Sequence, residues 1–190
     1  MARYAPDHKE KTHAAIIDAA AERMRLGGLG AVGVAGIMAE CGLTHGGFYA
    51  HFPSRDALLA AAVARLFDKA TSGLARYAEK HGEAALSRYV DFYLSLRHRD
   101  DLSIGCPIPA LSAEVSRAGG DVKAAFDAGL DRLADQLGAM MPPSAAKGGN
   151  RKAALALLAD MAGVLGLSRA MNDPRQSAEL LSAKRKALAV

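Results

Sequence analysis

Apolar residues recur along this chain at helical spacing almost from end to end. Positions three and four apart fall on one face of a helix, so such stripes mark buried faces. His13, Ile16, Ile17, Ala20 and Met24 form the first stripe, predicting a helix from about Asp7, with Glu10 as a capping-box partner, to Gly27-Gly28. Val34 to Glu40 makes about two turns with Ile37 inward. Gly42 supplies a turn and Leu43 fills its corner. Phe48 and Phe52, four apart, bury one face of a second short helix, and Thr44 is its expected N-cap. Pro53 stops that helix. Ser54 then caps a helix running to about Lys80, with Leu58, Leu59, Ala62, Val63, Leu66 and Phe67 inward.

Beyond it the pattern predicts helices over 83–98, 107–117, 121–140, 150–171 and 174–188. A loop falls at 100–105, and 142–149 is the most disorder-prone stretch. Pro107 suits the first turn of its helix. No run alternates Val, Ile and Thr as a strand would, so the fold class is all-α. The predicted helix over 150–171 is apolar and small on nearly every face, with Ala154, Leu155, Leu158, Met161, Ala162, Leu165 and Gly166. A helix of that kind is buried on every side. One face meets the core and the other fits a second subunit, and Gly163 and Gly166 permit close backbone contact. Paired with the helix that follows, it predicts a twofold four-helix homodimer interface built from helices 8 and 9 of the predicted set. The rival reading is a central helix within a monomer.

The two short helices and the glycine turn between Ile37 and Leu58 carry the chemistry. Two such helices at a fixed angle are how a protein lays one of them into the DNA major groove. With Phe48 and Phe52 inward, His45, Gly46 and Tyr49 stand on the other face. Thr44, His45, Gly46, Gly47, Tyr49, His51, Arg55 and Arg3 are the candidate DNA-contacting residues. Thr44 and Tyr49 donate to phosphates, as does the backbone at a helix N-terminus. His45 is the candidate for a base edge. For Tyr49 and His51 the alternative is packing between helices. Gly46 and Gly47 each cost about 1 kcal/mol of helix propensity relative to alanine, which reads either as room for close approach to DNA or as a segment that firms up on binding.

The run Thr44-His-Gly-Gly-Phe-Tyr-Ala-His-Phe-Pro-Ser-Arg-Asp-Ala-Leu58 resembles the segment that marks the TetR family of bacterial one-component regulators. The likeness covers about the first quarter of the chain. It departs from the family pattern at Met38, where a small alanine is usual, and at Gly33, where Ser or Thr usually caps the second helix. The resemblance implies an all-helical homodimer with an N-terminal helix-turn-helix domain, here 1–53, that binds a palindromic double-stranded operator. Residues 54–190 would form the ligand-binding and dimerisation domain, with the helix from Ser54 bridging the two. It also implies a repressor released by a small-molecule inducer, and a phosphate-contacting role for Arg55.

Composition changes this picture little. The net charge is +4 and the pI about 9.2, mildly favourable for a polyanion. Through Asp56, however, six basic residues face six acidic ones, so arrangement rather than charge carries the DNA reading. Two cysteines give neither a disulfide scaffold nor metal-ligand spacing, and no cofactor or metal is expected. The N-terminus lacks a signal-peptide core, and no run of about 18 uncharged apolar residues appears, so the expected place is the cytoplasm, with no membrane partner.

In the second domain Tyr77, Tyr89, Phe92, Tyr93 and Phe126 are candidates to line an apolar cavity, although residues at helical spacing are more often core. Gly105 to Val115 is similar to a segment of one subset of TetR-type regulators, some responsive to electrophiles or oxidants. Cys106 sits there at a helix N-terminus, where the dipole is expected to lower a thiol's pKa; the alternative is a small hydrophobe in packing. His81 and His98 look isolated. Two further functions stay open: a helical dimeric interaction protein without DNA binding, and a thiol enzyme using Cys106 with His98, which lacks an orienting third group.

Overall fold

The computed structural model describes residues 6–143 and 149–188, and these are helical with no strand. The helices are α1 (Pro6–Gly27), α2 (Val34–Glu40), α3 (Arg55–His81), α4 (Ala85–Tyr93), α5 (Leu96–Asp100), α6 (Pro107–Val115), α7 (Gly120–Gly138), α8 (Gly149–Ala170) and α9 (Pro174–Ala187). Arg3, and 144–148 of the stretch read as disorder-prone, lie outside the described residues.

The stripes read from the sequence are the buried faces. Ile16, Ala20 and Met24 of α1 close over Ile37 and Met38 of α2 and over Phe48 and Phe52. The α2 turn closes at Gly42, whose φ of 70° is the left-handed region glycine reaches without a Cβ penalty. The N-cap of α3 forms as expected, with Ser54 Oγ accepting from Ala57 N at 3.1 Å. At 27 residues, α3 runs about 40 Å at 1.5 Å per residue. It packs on α1 at one end and, more extensively, on α7. The α3–α7 approach is close. A Cβ on Gly129 would stand 2.3 Å from the Phe67 ring, and Phe126 meets the same ring edge-on at 5.1 Å.

Two elements differ from expectation. The helix expected over 83–98 is broken after Tyr93, because Ser95 starts a new helix by accepting from His98 N at 3.1 Å. The segment after the α2 turn is a 3-10 helix, His45–Ala50, rather than an α-helix. Its two glycines weaken α-propensity, and short 3-10 turns tolerate that. Thr44 occupies the N-cap position in extended backbone, yet its hydroxyl makes no capping bond.

α8 is buried on one side only. Ala154, Leu158, Met161 and Leu165 face α7 and α9, whereas Ala156, Gly163 and Leu167 are exposed, Leu167 by 62%. By length and composition α8 passes for a membrane span. Its inward half nonetheless serves the core, and Asp160 on its outer half accepts from Lys184 Nζ of α9 at 2.8 Å.

Candidate DNA-binding face and ligand cavity

The 3-10 segment is fixed from below and bare above. Phe48 and Phe52 stack at 5.7 Å, and the His13 ring of α1 stacks on Phe52 at 4.5 Å. Met38, the residue that departs from the family's small alanine, is wholly buried beneath the segment. On the other side Thr44, His45, Gly46, Tyr49 and Ala50 are exposed. Tyr49 is 68% exposed, its ring edge-on to Phe48 at 5.3 Å. A tyrosine this bare contributes little to the core, and its hydroxyl stands free to donate.

Neither glycine of the segment is required by the protein's own packing. A Cβ at Gly46 would meet nothing within 4 Å, and one at Gly47 would make ordinary contacts of 3.6 Å to Met38 and 3.7 Å to Thr44. Neither has positive φ.

His51 and Arg55 are placed differently from Tyr49. His51 is half-buried, 6.0 Å from the His13 ring, with its Nδ1 buried and unpartnered. Burial, then the charges of His13 and Lys9, push its pKa down. Its setting is the packing alternative. Arg55 donates from Nε to Val32 O at 3.0 Å and from Nη2 to Leu29 O at 2.8 Å. The guanidinium so ties the start of α3 to the turn after α1, which leaves less of it for a phosphate than its position in the motif suggests. Glu114 of α6 grips the same turn, its Oε2 accepting from Leu29 N at 2.9 Å.

A cavity of about 270 Å³ lies where α1, α3, α4 and the start of α6 meet. Tyr77, Tyr89 and Phe92 form an aromatic wall, with Tyr77 and Tyr89 edge-to-face at 5.9 Å. Cys106 and Gly105 close one side, and Lys69 of α3 and Arg25 of α1 bring charge. Tyr89, Phe92 and Cys106 thus line the cavity as expected from the sequence. Phe126 does not, because it is spent on Phe67. Tyr93 lies behind the lining, fully buried, its hydroxyl directed at the Cys106 thiol.

His98, read as isolated, is the hub of this wall. It is 1% exposed. Its Nδ1 lies 2.8 Å from Tyr93 O, and its Nε2 accepts from Cys106 N at 3.2 Å. Since Nε2 accepts, Nδ1 carries the proton and the ring is neutral. Burial pushes its pKa below the usual value, against the opposing pull of the Tyr93 carbonyl. The ring also stacks on Phe92 at 5.2 Å. Arg169 of α8 holds the turn beneath, donating from Nη2 to His98 O at 2.6 Å and from Nε to Arg99 O at 3.1 Å.

The expectation of a lowered thiol pKa at Cys106 is overturned. Burial pushes the thiol up, outweighing the Tyr93 hydroxyl, the Ile108 backbone and the charges of Arg169 and Arg25, which pull it down. Desolvation disfavours the thiolate more than a helix terminus favours it. Sequence reasoning also missed Arg25 and Lys69 at the cavity. A basic residue in the last turn of a helix is ordinarily read as complementing the helix dipole, and only the tertiary fold brings Arg25 to α4 and α6.

A buried-below, bare-above segment on a three-helix N-terminal unit, followed by a cavity-bearing helical body, defines a class of fold: all-helical, with an N-terminal helix-turn-helix. Residues 16–62 match the family described as bacterial regulatory proteins, tetR family. The fold agrees over almost the whole chain. A TetR-family regulator from Agrobacterium tumefaciens is 19% identical with a TM-score of 0.73, covering 96% of this chain and 100% of its own. Escherichia coli NemR in its reduced form is also 19% identical, with a TM-score of 0.74 over 94% of this chain and 97% of its own. A TetR regulator from Chloroflexus aurantiacus is 22% identical, TM-score 0.70, over 96% and 94%. No curated protein matches the chain. Residues 16–62 thus match the tetR family model, and the chain as a whole has the fold of these regulators.

Proposed function

We propose that this protein is a transcriptional repressor that binds a palindromic operator as a homodimer and is released by a small-molecule inducer. Residues 1–53 are the reading domain and 54–190 the ligand-binding and dimerisation domain, with α3 bridging them. The observation that carries the reading is the 3-10 segment itself. Its apolar face is consumed by the core, while Thr44, His45, Gly46 and Tyr49 stand bare on the side that meets a groove. Arg3 supplies a flanking phosphate contact in this reading, Arg55 offers only the N–H groups not spent on Val32 O and Leu29 O, and Gly47 allows the backbone to come close. His51 acts from below, by holding the segment on α1.

The outward half of α8, with Ala156, Gly163 and Leu167, pairs with its copy, and α9 flanks it. Two reading segments then face successive major grooves, about 34–36 Å apart. An inducer that favours a different tilt of α3 changes that separation, and operator affinity falls by the ligand's preference for the incompetent state. The inducer occupies the cavity beside Tyr89, Phe92 and Cys106. The protein acts in the cytoplasm as a regulator and not as a thiol enzyme, since burial disfavours the Cys106 thiolate and His98 has both ring nitrogens committed.

The test is a mobility-shift titration on the DNA flanking its own gene at two salt concentrations. Specific retardation that weakens steeply with salt supports the reading. A dimer with no preference for any DNA overturns it in favour of an interaction protein.

A further inference from the structure

The cavity has an electrostatic character that its aromatic wall conceals. Two cations, Arg25 and Lys69, line it, and no carboxylate does. His98, which also lines it, is neutral by its hydrogen bonds. Lys69 is already paired with Asp18 of α1, Nζ to Oδ1 at 2.8 Å. Among the described residues no acid pairs with Arg25. Its Nη1 donates to a neutral acceptor, Ser103 O, at 2.6 Å, and its Nε is buried without a hydrogen-bond partner. A buried N–H of a charged group left without an acceptor is costly. An anion is the partner that satisfies it most strongly, and a carboxylate matches the guanidinium fork. The volume, about 270 Å³, falls just below the usual range for small-molecule sites and suits a single ring. The walls offered to that ring are the faces and edges of Tyr77, Tyr89 and Phe92.

We propose that the cavity binds a small aromatic carboxylate, with its ring against Tyr89 and Phe92 and its carboxylate on Arg25. Binding also moves the signal. Arg25 stands in the last turn of α1, and its Nη1 donates to Ser103 O, in the turn Leu102–Ile104 that leads into α6. A carboxylate that recruits the guanidinium competes with Ser103 O and shifts α1 relative to α6. Only this second step rests on the regulator reading above.

Calorimetric titration of the full-length protein, without DNA, compares sodium benzoate, benzamide and benzylammonium at one ionic strength. Benzoate is expected to bind, benzamide at least tenfold more weakly, and benzylammonium not at all. Arg25→Gln is expected to bring benzoate down to the benzamide level, and Arg25→Lys to keep part of the preference. Should Arg25→Gln fold poorly, the Arg25 Nε–H resonance of the wild-type protein, assigned through Arg25→Lys, is followed instead and is expected to shift with benzoate and not with benzamide. Equal affinity for benzoate and benzamide, no benzoate binding, an unmoved Nε–H resonance, or an unchanged benzoate affinity in a folded Arg25→Gln each overturns the proposal. Because no DNA is present, a failure here is separate from a failure to bind an operator. In the mobility-shift assay, benzoate should then release operator from the wild type and leave Arg25→Gln bound.

Discussion

Replacing Gly46 and Gly47 together by alanine separates what the fold needs from what DNA needs. Neither position has positive φ, a Cβ at Gly46 meets nothing, and one at Gly47 makes ordinary contacts of 3.6–3.7 Å. Alanine therefore fits without strain, and each substitution restricts the unfolded chain, stabilising by about 0.4–1 kcal/mol. The pair contributes about 1–2 kcal/mol, or roughly 2–8 °C in Tm for a chain of this length. If the glycines are there so that backbone can approach the duplex, two methyl groups at that contact cost the complex about 1–3 kcal/mol, as overpacking does, which is roughly 5- to 150-fold in Kd. Differential scanning calorimetry and a fluorescence-anisotropy titration on the operator measure both sides. A rise in Tm with undiminished operator affinity would refute the close-approach argument and leave the glycines as mere softness in the segment. A fall in Tm would refute the packing argument.

Tyr49→Ala should abolish specific operator binding and leave the dimer intact by sedimentation, with Tm within about 2 °C, because an exposed side chain away from special features contributes within about 0.5 kcal/mol; loss of folding would assign the ring to the core. His98 titrates below 6.5 in the folded protein, so the unfolded chain takes up its proton first as pH falls. Its contribution is complete above pH 6.5 and is lost as pH drops through the folded value. Tm should be flat from pH 8 to 7 and decline below 6.5, with a smaller decline in His98→Gln; identical profiles would count against the neutral hub. Cys106→Ser should keep operator binding and inducer release, with its hydroxyl able to accept from the buried Tyr93 hydroxyl, and N-ethylmaleimide should modify native Cys106 far more slowly than the unfolded thiol. Rapid native modification coupled to operator release would restore the thiol as a sensor.

The fold was largely legible because helical periodicity is local. Ile16, Ala20, Met24, Ile37, Phe48, Phe52 and the α3 stripe were readable as inward from spacing alone, and all are buried. The bare face of the 3-10 segment followed from the same arithmetic. What was not legible depends on who meets whom across the fold. Phe126 has the spacing of a lining residue, but α7 turns it onto Phe67. His98 has no partner in sequence until the break at Ser95 swings it beneath Cys106. Arg55 sits where the motif places a phosphate contact, yet two carbonyls from the turn after α1 claim it. Between the two alternatives at Cys106 the sequence could not choose, because the dipole of a helix is read from sequence and the desolvation of a thiol is not.

One rod, α1, touches both functional regions: His13 braces Phe52 under the DNA-facing segment, and Arg25 reaches the cavity. The two residues are about 18 Å apart along a single uninterrupted helix. In the proposed function, effector recognition and operator binding therefore share a beam. A change at Arg25 alters a residue carried on that beam, whereas changes on the aromatic wall do not touch it. Diversification of this sensor should run through Tyr77, Tyr89 and Phe92 first, and reach Arg25 last.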